Sequence, residues 1–149
     1  MYAPVLRAHA SAPKNRGPLE DANAWGESRY PPCGDVFKLS LRLEDGHIAV
    51  AHFEAQACGP VIALGSLATE TLRGLTTAEA IRHDSFYWDK AAGGLPPAKR
   101  HAILLLLDAL HQALGGPVFA DFRHRERRLS RLLQYRARRD PWPRRRKRI

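Results

Sequence analysis

The chain is poor in cysteine, with only Cys33 and Cys58 in 149 residues. That count excludes the disulfide-dense scaffolds of small secreted domains. Aromatic residues make up only 8% of the chain. Long apolar runs are absent too: Ile103 to Leu107 is far too short to span a bilayer. No repeat period is visible, which excludes solenoids and propellers. No positively charged leader is followed by an apolar segment, so a cytoplasmic location is expected. What the chain does have is 44% apolar residues, too many for a fully disordered protein. Its length suits one domain with a modest core.

Charge is abundant but unevenly placed. Residues 1–116 carry 11 Lys/Arg against 12 Asp/Glu, whereas residues 117–149 carry 13 against 3. The net charge of +9 and the pI of about 10.3 therefore belong to the C-terminal segment and not to a basic body. Two parts are expected: a domain over 1–116 and a basic helical extension over 117–149.

The first two dozen residues, rich in Ala, Pro, Asn and Gly, read as an arm or loop. Ala24 to Tyr30 suits a short extended element. Val36, Leu39, Leu41 and Leu43 alternate with Lys38, Ser40 and Arg42, the pattern of a half-buried strand. Asp45-Gly46 marks a hairpin, with Ile48 to Phe53 as the return strand. Past Cys58-Gly59-Pro60, helical spacing from Ile62 to Leu72 meets a stop at Gly74. Thr76 or Thr77 caps a short helix to Ile81, and His83 to Gly94 has no clear assignment. A long helix from about Ala98 to Leu114, apolar nearly all round, crosses the core. Val118 to Arg139 suits one more helix before Pro141 and Pro143. The fold class is α+β: a small antiparallel sheet that needs helices to cover one face.

Four side chains at element junctions draw notice. Cys33 and Asp35 stand at the entrance to a strand, where alternation places both on one side. Cys58 precedes a helix whose N-terminal amides favour its thiolate. His101 lies near the start of the long helix. Two sulfurs, an imidazole and a carboxylate suit a tetrahedral metal. Residue types and spacing alone favour two inert buried cysteines and a surface or packing histidine over a ligand set. Phe86, Tyr87 and Trp88 are expected to close an edge of the core, and Trp25 and Tyr30 to cover the first ligand region.

Pro13-Lys14-Asn15-Arg16-Gly17 resembles the N-terminal signature, and Pro32-Cys33-Gly34-Asp35 the first ligand motif, of the iron–sulfur cluster assembly scaffold family of the NifU N-terminal, or IscU-like, type. Ala57-Cys58-Gly59, followed by a small-residue helix with Ser66, Leu67 and Thr69-Glu70, resembles the second. Leu75 to Ala80 is similar to its Gly-Lys-Ser/Thr…Glu-Ala region. Leu95-Pro96-Pro97-Ala98-Lys99-Arg100-His101 looks like the third ligand segment, which carries a docking motif for an Hsp70-type chaperone. The resemblance spans residues 9–115 in order. It implies a three-stranded antiparallel sheet packed against several helices. It also implies a scaffold on which sulfur from a cysteine desulfurase meets iron before the cluster passes to acceptor proteins.

The family pattern of three cysteines, an aspartate and an approaching histidine maps onto Cys33, Asp35, Cys58 and His101. The third cysteine falls at Ala102, and a methyl group neither ligates iron nor accepts sulfur. The four remaining donors suit zinc or a [2Fe-2S] cluster. Ala98 stands where the docking motif usually has valine, and the two lost methyls are worth about 1.5 kcal/mol where that residue is buried in the chaperone.

Three functions follow as expectations. One is an atypical scaffold or carrier; another is a zinc-binding divergent member acting as a regulatory or partner protein. The last is a polyanion-binding protein that uses residues 118–149 against several phosphates. That segment also reads as a solvated helix with a frayed tail, or as an arm for an acidic protein. Only Trp142 lies beside the final arginines, which gives base stacking little support. No acid–base pair stands outside the ligand set, so the chain is expected not to be an enzyme.

Overall fold

Asp45 and Gly46 both take left-handed backbone, φ 51° and 75°, and close a two-residue hairpin between β2 (Asp35–Glu44) and β3 (His47–Gln56). Positive φ at both central positions matches the right-handed twist of the flanking strands. The computed structural model describes residues 2–115, and the helix and tail expected beyond residue 117 lie outside them. β1 (Ala24–Tyr30) pairs antiparallel with β2 on its other side, so the sheet runs β1-β2-β3. Helices α1 (Pro4–Ser11), α2 (Gly59–Leu72), α3 (Thr77–Arg82), α4 (Ser85–Ala91) and α5 (His101–Gly115) complete the α+β fold. No helix among the described residues is long and apolar enough to cross a membrane.

The inward face of β2 presents Asp35, Phe37, Leu39 and Leu41, all buried, while Val36 is only half-buried on the outer face. The expected alternation is thus corrected at its first member: Phe37 and not Val36 belongs to the core. Asp35 is in phase with the core leucines, so its carboxylate is turned inward. α2 packs Gly65 against the stacked rings of Phe37 and Phe53, where a Cβ would collide with both.

α5 is buried at every residue from His101 to Leu110, as a helix apolar around its circumference must be. It lies along β1, the edge strand. The Ser28 hydroxyl donates to the Leu105 carbonyl at 2.7 Å, and Gln112 grips the Glu27 backbone. Its Nε2 donates to the Glu27 carbonyl at 2.7 Å while its Oε1 accepts from the Glu27 N–H at 3.4 Å. A side-chain amide thereby stands in for a neighbouring strand.

The far edge of β3 is covered by the N-terminal segment. Phe53 N–H donates to Asn15 at 2.9 Å and Gly17 N–H to Phe53 at 2.8 Å. Asn15 adopts φ 59° and also bonds Thr69, and Ser66 accepts from the Lys14 N–H and contacts His9. The Pro13–Gly17 stretch is thus a clasp between α2 and the sheet.

Three readings of the sequence need correction. The opening residues are not all arm or loop: α1 starts at Pro4, buries Leu6 and packs on α2. An eight-residue helix has little stability alone, so tertiary packing decides its existence. The unassigned stretch after His83 forms α4, capped by Asp84, whose carboxylate accepts from Tyr87 N–H at 3.0 Å. Of its three aromatics only Trp88 is buried; Phe86 and Tyr87 are exposed. The Thr76 cap forms as expected, with Glu79 closing a capping box.

Gly26 is the tightest passage between α5 and β1: a Cβ there would run into the Ala109 carbonyl oxygen and the Gln112 side chain. The contact is with backbone, which has little room to yield. Gly26→Ala is expected to destabilise the protein by about 1–3 kcal/mol. Urea unfolding checks this through a lowered midpoint at unchanged slope.

Candidate metal centre

Each of the four candidate donors is brought in by a distinct local device. Tyr30 ends β1, and a single 3-10 turn, Pro31–Cys33, turns the chain before β2 begins. Gly34 closes this turn in left-handed backbone, φ 71°, which favours glycine. Cys33 therefore sits on the turn and not on the strand. The expectation that alternation alone aligns it with Asp35 is corrected, although the turn still brings the two together. Cys58 is the N-cap of α2, extended before Gly59-Pro60. His101 opens α5 after another 3-10 turn, Pro97–Lys99. That entry is braced by Asp89, whose carboxylate accepts from Leu95 N–H at 3.0 Å and lies 3.9 Å from Arg100.

Three donors converge closely. His101 Nε2 stands 2.9 Å from Asp35 Oδ2, and Cys58 Sγ is 3.7 Å from each of those atoms. Cys33, Asp35 and His101 offer donor atoms within 4.8 Å of one another. Asp35 and His101 are 3% and 2% exposed, Cys58 is half-buried, and Cys33 is exposed. The site is thus a buried acid–imidazole floor with thiols rising toward solvent at Cys33.

The geometry separates two chemistries. A nucleophile–histidine–acid relay needs the acid on one imidazole nitrogen and the nucleophile on the other. Here Asp35 and Cys58 both face Nε2, so no relay is formed. Convergence on one point is what a metal requires. Bonds of about 2.0–2.3 Å to zinc place tetrahedral donors roughly 3.3–3.8 Å apart; both Cys58 contacts fall in that interval, whereas the 2.9 Å between His101 and Asp35 is a hydrogen-bond distance that a bound ion would widen. One nitrogen, one carboxylate oxygen and two sulfurs also fit a thiophilic ion by donor type. The residues present fit such a group.

Burial pushes the Cys58 thiol above its ordinary value, and the nearby Asp35 charge adds to the rise. The Val61 backbone N–H and the Lys99 ammonium pull the other way without prevailing. The expected helix-terminal preference for thiolate is present but outweighed by desolvation. The thiol keeps its proton at neutral pH, so a cation held by Cys58 would displace that proton and would bind more tightly as pH rises.

Ala102, beside His101 in the first turn of α5, is 1% exposed and packed in the core. Of the two aromatics expected to cover the site, Tyr30 does so: it is buried and stacked on the His101 ring with centroids 4.7 Å apart. Trp25 does not, being 61% exposed on the outer face of the sheet. Sequence reasoning missed the stack itself, whose partners lie 71 positions apart, and also the influence of Lys99 on Cys58. A basic residue two places before the histidine was the one available signal for the latter.

The family profile of the NifU-like N-terminal domain matches residues 1–126. The chain is 35% identical over 114 residues to the iron-sulfur cluster assembly scaffold protein IscU 1 of Archaeoglobus fulgidus, covering 76% of this chain and 74% of that protein. It is 36% identical over 115 residues to the IscU scaffold protein of Aquifex aeolicus, covering 76% and 73%. Among solved structures, the N-terminal part of a nitrogen-fixing NifU-like protein from Brucella abortus shares the fold. Its TM-score is 0.62 at 18% identity, over 84% of this chain and 94% of that one.

The two thiols differ in exposure, and burial holds the Cys58 proton above its ordinary range, so alkylation separates them. In chelator-treated protein at pH 7, Cys33 is expected to react with iodoacetamide about tenfold or more ahead of Cys58. Cys58 labelling should accelerate only as the pH climbs past the ordinary thiol range. Mass spectrometry of timed digests measures both rates.

Proposed function

This chain belongs to the family of NifU-like N-terminal domains, and on that premise we propose that it is an atypical iron–sulfur cluster assembly scaffold or carrier. Its similar relatives are named as scaffold proteins. In this reading Cys33, Asp35, Cys58 and His101 hold a metal ion or a [2Fe-2S] cluster as cargo. The observation that carries it is the meeting of Asp35, Cys58 and His101 at 2.9–3.7 Å, with Cys33 beside them at the mouth. Buried Asp35 supplies negative charge that a cation neutralises, and Cys58 gains a thiolate only when a cation or higher pH draws off its proton. Cys33, the exposed donor, is the group that sulfur or an acceptor protein reaches first. The protein acts by holding and handing over, with no substrate turnover of its own.

Ala102 shapes the proposal. The third cysteine of the resembled motif has no counterpart here, and Ala102 in its place is buried. Donation therefore falls to the imidazole of His101. A second reading rests on the same donor set: one nitrogen, one oxygen and two sulfurs complete a four-coordinate zinc site with no open position, which suits a regulatory or partner protein.

The partners implied are a cysteine desulfurase, an Hsp70-type chaperone system docking at Leu95–Arg100, and cluster acceptor proteins. A cytoplasmic location accompanies them. Residues 117–149, outside the described residues, are a basic extension whose first part falls within the family match. They supply the arm for a polyanion or an acidic partner.

Metal and sulfide analysis of protein purified without oxygen is the test. Iron with acid-labile sulfide supports the scaffold, one zinc per chain without sulfide supports the second reading, and neither overturns both. Changes next to metal ligands alone cost about 10–100-fold in affinity, so Asp35→Ala, Cys58→Ala and His101→Ala are each expected to exceed about 100-fold. Chelator competition measures this. Ala102→Cys, which adds one sulfur within the first turn of α5, is expected to raise the cluster yield on anaerobic reconstitution, read from absorbance and sulfide content.

A further inference from the structure

Tyr30 is not one of the four candidate donors, yet it adjoins three of them. Its ring stacks on His101 with centroids 4.7 Å apart and planes inclined by 23°. Across the sheet it is the register partner of Asp35, and it caps the turn that carries Cys33. It is buried, so this contact is not one arrangement among many solvent-exposed ones. We propose that Tyr30 is the positioning residue of this centre, holding the His101 imidazole with Nε2 toward Asp35 and Cys58, and so setting how tightly His101 serves as a ligand for a thiophilic divalent ion. The proposal rests on the metal-binding reading above.

The terminal torsion of a histidine side chain has a broad, roughly two-fold profile, and a half-turn carries Nε2 away from the donors it faces. His101 is the first residue of α5, so no preceding turn of that helix walls its ring in. The hydrogen bond to Asp35 gives direction at one atom. The flat face of Tyr30 restrains the ring plane and obstructs the intermediate angles between the two half-turn orientations, and within that plane the Asp35 contact selects the one with Nε2 toward the donors. Groups next to a ligand that fix ring orientation are worth about 10–100-fold in metal affinity. Stacking needs the aromatic ring and not the hydroxyl. Phenylalanine therefore preserves the role, whereas leucine keeps the burial and loses the flat face.

The test uses the full chain as wild type, Tyr30→Phe and Tyr30→Leu, each titrated with cobalt(II) alone under anaerobic conditions. Tyr30→Leu is expected to bind about 10–100-fold more weakly by chelator competition, with Tyr30→Phe close to wild type. In the proton spectrum of the cobalt form, the shifted imidazole N–H of His101 disappears in Tyr30→Leu and persists in Tyr30→Phe. Thiolate-to-cobalt absorption remains in all three, which a general loss of structure would not allow. Tyr30→Leu that is folded by circular dichroism yet keeps both the imidazole signal and the wild-type affinity overturns the proposal. If leucine prevents folding, Tyr30→Met carries the same comparison.

A wild-type protein that takes no cobalt defeats the metal reading, and Tyr30 is then judged on the metal-free ring. Nuclear Overhauser contacts reporting one imidazole orientation in wild type and Tyr30→Phe, but two in Tyr30→Leu, sustain its positioning role. A single orientation in all three overturns it.

Discussion

Helix α5 lies on strand β1 only because Gly26 has no side chain, and the rest of the architecture follows from that approach. At this distance Ser28 reaches the Leu105 carbonyl and Gln112 pairs with the Glu27 backbone. The edge of β1 is then closed, and a helix apolar on every side finds a sheet to bury it. The same docking delivers the first residue of α5 to the end of β1, where β2 begins. His101 over Asp35 is a consequence of helix–sheet packing, and the buried pair in turn satisfies its polar atoms there.

Burial and exposure divide the work of the site. A carboxylate and an imidazole held almost out of water are costly unless paired with one another or with a cation, so the floor is strict in geometry. Cys33 stands on a turn at the rim, where exchange with another protein is sterically open. Cys58 lies between these extremes, with desolvation and Asp35 opposing the helix amide and Lys99. An exposed thiol above a buried acid–imidazole pair suits a group that is held and then released. A fully sealed cage would favour permanent retention.

The N-terminal end of the chain is built into the fold. Residues 13–17 clasp α2 to the outer strand through Asn15, Gly17 and the Ser66 hydroxyl, so a polar, proline-containing stretch without strand pattern becomes part of the sheet's edge. The nearly neutral body and the strongly basic segment beyond it remain separable by charge alone.

Much was legible because it depended on neighbours in the chain. Asp45-Gly46 demands its hairpin through backbone dihedrals, Thr76 and Glu79 close their own capping box, and the leucines of α5 reveal burial by wrapping the helix. The candidate donors Cys33, Asp35, Cys58 and His101 were legible as residue types at element junctions, and Asp35, Cys58 and His101 meet at 2.9–3.7 Å in the fold. Tertiary structure alone decided α1, too short to stand without α2. It also decided the inward phase of Asp35, the burial that keeps a proton on Cys58, and the stack of Tyr30 on His101. The physical reason is shared: local dihedral and capping preferences act over a few residues, whereas desolvation and packing depend on surfaces that meet only after the chain has folded.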